Sequence, residues 1–371
     1  MLTTGFAFMG STAVTLCLLH LLKRLAGRIG LVDDPGGRKH HHRPVPLVGG
    51  IAMYGGLLVV SLGTAWPLDQ NTQVFLLASA ILISVGVYDD RHELTPRTRL
   101  LAQTLTACIM IWMGGQVVTD LGYLLDSQVK TAPGFLAVPF TVFAAVGGIN
   151  AMNLSDGLDG LASGLALIGL GMLALAASGI PGLQADFHGL IVLLGAISAF
   201  FLMNFRFPWR VHGADLFMGD AGSTFIGFAF AWFFVRLSQS ETPAIAPVVA
   251  LWIFAIPLMD TVSVMIRRIL RGRSPFAPDR EHLHHILLLA GYGVRETCLI
   301  ILGLALALAA VGYGGYLYAV PESFLFYGFL ALFGGYFMMT LHAWKVMKWL
   351  KQWAGKSDLQ SLPVKRLNSQ G

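Results

Sequence analysis

The sequence predicts an all-α, polytopic membrane protein of about eleven transmembrane helices, with its functional loops on the cytoplasmic side. Three observations predict it. The 371 residues are 55% hydrophobic and only 12% charged, whereas a soluble domain averages about 25% charged residues. Apolar windows of roughly 20 residues recur along the whole chain. When those windows are crossed alternately, Lys and Arg collect on one side.

The windows fall near 3–22, 47–66, 72–88, 99–114, 135–154, 161–178, 187–204, 216–236, 244–266, 297–319 and 323–344. The first has no basic segment before it and its first cation is Lys23, so it reads as a span rather than a cleavable signal. The run ending at Tyr88 is short and reads as tilted or partly re-entrant. The 43 glycines suit close helix–helix approach. Cys17, Cys108 and Cys298 lie in apolar runs without paired or metal-ligand spacing, so they read as small buried hydrophobes and predict no disulfide. No linker or repeat divides the chain. Residues 1–344 are expected to form one multi-span domain, followed by a basic cytoplasmic tail, 345–371, whose last dozen residues are expected to be disordered.

With the N-terminus outside, one side holds the basic residues of 23–43, 91–99, 206–210, 267–295 and the tail from Lys345. Of the 25 Lys and Arg residues only Lys130 and Arg236 lie opposite. By the positive-inside rule the crowded side is cytoplasmic. The net charge of +5 is therefore concentrated on one face. It serves topology and contact with anionic headgroups, and it also suits a polyanionic substrate. Nucleic acid is not expected as a partner, because no aromatic-interleaved basic module is present.

The acids carry the functional reading. Asp89 and Asp90 close the third window, Asp156 and Asp159 follow the fifth in Asn153-Leu154-Ser155-Asp156-Gly157-Leu158-Asp159-Gly160, and Asp215 and Asp220 open the eighth. Asp260 lies inside the ninth, near its cytoplasmic end. All fall on the side that Lys and Arg mark as cytoplasmic. A membrane-edge carboxylate is costly unless paired, hydrated or bound to a cation, and Mg²⁺ takes a few oxygen ligands plus substrate phosphates. Several loops each bringing carboxylates to one face therefore predict a hard-cation site. Single acids at helix starts have a plainer reading as caps. Asp156 and Asp159 share a face if their segment is helical, while Gly157 and Gly160 suit a tight turn where backbone amides approach phosphate. The segment resembles a calcium-loop fragment, but the other EF-hand ligand positions are missing.

The longest cytoplasmic loop runs from Arg267 and Arg268 through Ser274-Pro275-Phe276 to His282-Leu283-His284-His285. Arginine offers forked donors to phosphate, and histidine donates to phosphate or ligates metal. A zinc reading lacks the usual Cys partner, even with His40-His41-His42 added.

Together, Asp89-Asp90, the 153–160 segment, Phe217-Met218-Gly219-Asp220-Ala221-Gly222-Ser223 and His282-Leu283-His284-His285 resemble the polyprenyl-phosphate N-acetylhexosamine-1-phosphate transferases. The similarity runs from about Gly30 to Gly291. The Ser274–His285 stretch is most similar to the WecA/TagO branch, which uses UDP-N-acetylglucosamine (UDP-GlcNAc); the peptidoglycan branch carries three consecutive histidines there. The resemblance implies transfer of GlcNAc-1-phosphate from UDP-GlcNAc to undecaprenyl phosphate, with Mg²⁺ or Mn²⁺, and suggests a homodimer. It implies Asp220 as metal ligand with Asp156 nearby, and Asp89 and Asp90 receiving or orienting the lipid phosphate. Phe217 would stack on uracil, Asn153 and Asp159 would hold the nucleotide, and His282, His284, His285 and Arg268 would contact the sugar or diphosphate. The His40–His42 run is more histidine-rich than the family's usual basic segment before Pro46-Leu47-Val48-Gly49-Gly50, which leaves open whether Lys39, His41 or Arg43 plays that part.

Two other classes predict different sequences. A transporter of anionic solutes places charges near the bilayer midplane, yet these spans are nearly free of charge apart from Asp260. A CDP-alcohol phosphotransferase needs a DGxxAR-type signature, which is absent. Within the resembling family, the rival readings are another UDP-N-acetylhexosamine or UDP-MurNAc-pentapeptide as donor, and an enzyme-phosphosugar intermediate in place of direct attack.

Overall fold

Helices lie in all of the predicted windows, two of them in 244–266, in the computed structural model, which describes residues 2–33, 44–63, 69–126, 128–210, 213–274, 282–342, 345–347 and 351. In chain order these are α1 (Leu2–Ile29), α2 (Gly49–Gly63), α3 (Gln70–His92), α4 (Pro96–Trp112), α5 (Ala137–Ser155), α6 (Leu161–Ala177), α7 (Gln184–Asn204) and α8 (Gly219–Ser238). After them come α9 (Pro247–Ile253), α10 (Ala255–Leu270), α11 (Leu283–Leu289), α12 (Val294–Leu317) and α13 (Glu322–Leu341). Among the described residues, seven helices are long and apolar enough by themselves to cross a membrane, and α9 with α10 makes an eighth if the bent pair is one span. Apolar side chains such as Phe143, Leu101 and Trp112 lie exposed on the bundle's outside, as lipid contact requires. The chain is an all-α, multi-pass membrane protein.

Two expectations change. The run ending at Tyr88 is a full 23-residue helix, because Asp69 caps its start by accepting from the Thr72 amide (2.8 Å) and polar residues to His92 extend its end. The bend lies instead between α9 and α10, which meet at 80° around Phe254. Pro257 stands in the first turn of α10, where its missing N–H costs no helical bond. Cys17 is exposed rather than buried, since its side of α1 faces outward; Cys298 is buried, and all three cysteines are free.

Helix α8 organises the bundle, packing against α2, α3, α5, α6 and α9. Its interior face carries Phe225, Phe228, Phe230 and Trp232, all fully buried or nearly so. The close crossings fall at small residues: Gly86 of α3 lies against Ala221, Gly50 of α2 against Gly222, and a Cβ added to Gly227 would stand 2.6 Å from Ile149 Cα of α5. Small residues let backbones approach where no water-driven force pulls helices together. The N-terminus of α8, bearing Asp220, is thereby fixed between three other helices.

A two-stranded antiparallel ribbon, β1 (Val32–Asp33) and β2 (Val45–Pro46), pairs Val32 with Pro46 and Asp33 with Val45. Phe217 extends it: its amide donates to Pro46 O (2.8 Å), and Gly49 and Gly50 donate to Phe217 O and Met218 O. The Pro46–Gly50 segment is thus laid along the start of α8. His40–His42, their basic neighbours, 275–281 and most of the tail lie outside the described residues.

Candidate active site

The acids gather at one end of the bundle. The α3–α4 turn is only three residues long: Glu93 adopts φ +50, its amide donates to Asp89 O (2.9 Å), and the Leu94 amide donates to Asp89 Oδ1 (2.6 Å). Thr95 and Pro96 then start α4. That tight return carries Arg99 back over α3, with Nε 2.5 Å from Asp89 Oδ2 and Nη1 3.2 Å from Asp220 Oδ2. Asp220 Oδ1 accepts from Asn153 Nδ2 (2.7 Å), which also donates to Ser223 Oγ (2.8 Å). A groove here is lined by Gly86 and Asp89 of α3, Arg99 and Gln103 of α4, Asn153 of α5 and Asp220 of α8. Four helices thus contribute polar groups to one cleft.

The other predicted acids divide by what they touch. Asp90 accepts from the backbone amides of Asp220 (2.7 Å) and Ala221 (3.3 Å), so it caps α8 and fixes the orientation of Asp220. Asp159 is committed to Arg206 Nε (2.6 Å) and the Ala214 amide (3.1 Å). It ties down the loop before Phe217, away from the groove lining. Asp215 pairs with Lys23 and Arg210. Asp156 differs: among the described residues no hydrogen bond or ion pair reaches its carboxylate. Burial, then the charges of Asp220, Asp159 and Asp90, hold its pKa well above the usual carboxylate value.

Residues 156–160 form the turn that Gly157 and Gly160 suit, rather than a helical segment with Asp156 and Asp159 on one face; α5 ends at Ser155. Gly160 adopts φ +83 and its amide donates to Asn204 Oδ1 (2.6 Å). Asn204 also donates to Leu216 O (2.9 Å), so one buried amide side chain joins the 156–160 turn to the segment before Phe217. A Cβ added to Gly157 would stand 2.6 Å from His284 Nε2. The histidine segment is therefore packed directly on this turn. His282 and His284 stack with rings 5° from parallel, and His285 follows at 4.2 Å. Burial, then the neighbouring His285, push the His284 pKa down to about 3, so its ring is neutral at physiological pH. Phe217 is half-buried beside Leu47, and Arg268 is buried near the end of α10.

The predicted Asp89, Asn153 and Asp220 thus line one groove, Asp90 and Asp156 stand beside it, and His284 packs against the adjoining turn with the rings of His282 and His285 against its own. Sequence reasoning missed Arg99, Asn204 and Arg206. The sequence Pro96-Arg97-Thr98-Arg99 just after Asp89-Asp90 was a signal for the first; nothing in composition marked Asn204.

Among the described residues no three His, Cys, Asp or Glu side chains converge on a point, which leaves neither an all-protein cage nor the zinc reading support there. Mg²⁺ fits differently, since it is held by one or two carboxylates and completed by substrate phosphates. Asp220 and Asp156, whose carboxylate has no partner among the described residues and lies near enough for their charges to interact, are the residues that would supply such ligands.

A multi-pass helical protein that joins carboxylates, a guanidinium and imidazoles at one end of its bundle has the build of a membrane enzyme for phosphate-bearing substrates. Residues 72–238 match glycosyl transferase family 4. The chain is 35% identical over 341 residues to the undecaprenyl-phosphate alpha-N-acetylglucosaminyl 1-phosphate transferase of Escherichia coli strain K12, covering 91% of each chain. The proteins of that name from Yersinia pestis and Haemophilus influenzae are also 35% identical, over 345 and 338 residues, covering 91% and 90% of this chain and 92% and 93% of theirs. The chain belongs to glycosyl transferase family 4, among the polyprenyl-phosphate N-acetylhexosamine-1-phosphate transferases.

Proposed function

We propose that the chain transfers GlcNAc-1-phosphate from UDP-GlcNAc to undecaprenyl phosphate, giving GlcNAc-pyrophosphoryl-undecaprenol and UMP, as the first step of a lipid-linked surface polysaccharide such as O-antigen. The observation that carries this reading is the convergence of α3, α4, α5 and α8 on Asp220, with Arg99 bridging it to Asp89. It also rests on the names of the relatives. The finer topology belongs to the same proposal: eleven crossings, the site on the cytoplasmic face of the bacterial inner membrane, residues 1–344 as the transferase domain, the basic tail after them, and a homodimer.

The chemistry joins two anions. An oxygen of the lipid phosphate attacks the β-phosphorus of the donor, a new P–O bond forms, and the bond to UMP breaks with UMP taking the electron pair. Like charges oppose this approach, and positioned cations lower the barrier. Asp156 and Asp220 would hold Mg²⁺ or Mn²⁺, which when bound neutralises charge on the diphosphate oxygens. Arg99, at the groove between Asp89 and Asp220, is placed to meet the acceptor phosphate with a forked guanidinium. Asp89 orients Arg99, and Asp90 orients Asp220 through the α8 amides. Asn153 holds Asp220, Phe217 offers a face for uracil, and the histidines with Arg268 address the sugar diphosphate. Asp159 acts by holding Arg206 and the Ala214 amide. The acceptor attacks directly, since a phosphate with a second pKa near about 6 needs little deprotonation at neutral pH.

UMP release by the purified chain tests the reading. UDP-GlcNAc with undecaprenyl phosphate and Mg²⁺ is expected to give product, and UDP-MurNAc-pentapeptide is not. Release from the second donor alone would move the chain to the other branch, and a trapped phosphosugar on Asp89 or Asp90 would overturn direct attack.

A further inference from the structure

Asp260 is a buried acid that the reaction above does not use. It lies on α10, 8% exposed, and both oxygens are engaged. Oδ2 stands 2.8 Å from His282 Nδ1, while Oδ1 accepts from the Leu283 amide (3.0 Å) and from the Tyr336 hydroxyl of α13 (2.7 Å). A buried carboxylate is tolerated when several donors satisfy it, and here two of the three donors open the histidine segment.

Each contact has a distinct effect. The Leu283 amide is the first of α11 and has no partner within its own helix. The His282 side chain makes no cap bond to that helix, so Asp260 supplies the cap from α10. Because a carboxylate only accepts, His282 Nδ1 carries a proton, and Nε2 is the ring atom left for a ligand. His282 stacks parallel to His284, and His284 packs on Gly157 beside Asp156. A continuous chain of contacts runs from Tyr336 through Asp260, His282 and His284 to the 156–160 turn.

We propose that Asp260, steadied by Tyr336, is a positioning residue for the donor-binding histidines: it fixes the register of α11 and the tautomer of His282. The proposal rests on the transferase reading above. An Asp260→Asn chain keeps the size and an acceptor oxygen for Leu283 and Tyr336, but turns an N–H₂ toward His282 Nδ1. The imidazole proton must then move to Nε2 or the contact is lost.

The test is a double-mutant cycle on the full chain in lipid nanodiscs, read by UMP release. Asp260→Asn is expected to lower kcat/KM for UDP-GlcNAc about 10–100-fold, the loss seen when the carboxylate that orients a metal-ligating histidine is changed. In a His282→Ala background the same change is expected to cost less than about threefold, because its action passes through that ring. Tyr336→Phe is expected to cost less than Asp260→Asn, and to lose its effect in the same background. Equal losses with and without His282 would overturn the proposal, as would an Asp260→Asn chain within threefold of the parent. If Asp260→Asn does not assemble, the Tyr336→Phe and His282→Ala cycle carries the same decision. Hydrogen exchange of residues 282–289 is read alongside and needs no turnover. It should rise in Asp260→Ala with α12 unchanged; no rise would also overturn the proposal. A parent chain without UMP release would sink the transferase reading instead, and leave the exchange result to judge the positioning.

Discussion

Replacing Arg99 with Ala removes the cation that joins Asp89 to Asp220. Its side chain is 38% exposed and that of Asp220 29%, so their ion pair is screened and contributes about 0.2–1 kcal/mol to stability, while the pair with the buried Asp89 is open to solvent on the guanidinium side alone. Asp89 also keeps its bond from the Leu94 amide. The fold should therefore survive with a small fall in melting temperature. The cost to function is larger. A hydrogen bond to a charged group contributes about 1.5–3 kcal/mol, and tenfold in rate corresponds to about 1.36 kcal/mol. Losing the contact to the acceptor phosphate should lower kcat/KM for undecaprenyl phosphate about 10- to 150-fold, with a smaller change in KM for UDP-GlcNAc. Arg99→Lys should fall between, since it restores the charge without the fork. The assay is initial-rate UMP release at varied acceptor concentration in mixed micelles. An Arg99→Ala chain within threefold of the parent would refute the placement of the acceptor phosphate at this groove.

Asn204→Ala should loosen both the 156–160 turn and the segment before Phe217. Leaving buried partners unsatisfied costs about 1–3 kcal/mol, so a lowered melting temperature together with reduced turnover is expected, and an unchanged melting temperature would contradict it. Gly157→Ala places a methyl group against His284 and should reduce activity with little loss of assembled protein; parent-level activity would show that the histidine segment does not pack on the turn. Because His284 is held neutral while an unfolded histidine binds a proton below about 6.5, the unfolded state takes up the extra proton as pH falls. That contribution to stability is complete above about pH 6.5 and declines as pH drops from there toward about 3. Thermal melts of the parent should fall more steeply over this window than those of His284→Asn, and parallel slopes would contradict the burial of His284.

The apolar windows were legible because lipid demands long runs of one kind of residue, and each window carries a helix. The bend at Phe254 was not, since Pro257 inside an apolar run reads equally as a tolerated first-turn proline. Among the acids, sequence separated candidates from background by membrane side, which depends only on counting spans. It did not separate their roles. Asp90 caps α8, Asp159 anchors a loop and Asp260 orients a histidine, and all three read alike in one dimension because pairing across helices is set by packing. Arg99 was legible as a positive-inside charge, but its return onto Asp89 depends on the left-handed turn at Glu93, which no residue preference announces. The same holds for Asn204, whose two partners lie 44 and 12 residues away.

Electron paramagnetic resonance with Mn²⁺ tests most directly whether the carboxylates at this end of the bundle share an ion with the donor. In the presence of UDP-GlcNAc the parent chain should bind Mn²⁺ with phosphorus coupling from the diphosphate, and Asp156→Asn and Asp220→Asn should each lose that signal while remaining inserted in the membrane. Parent-like Mn²⁺ binding and coupling in both variants would place the ion elsewhere and contradict the account.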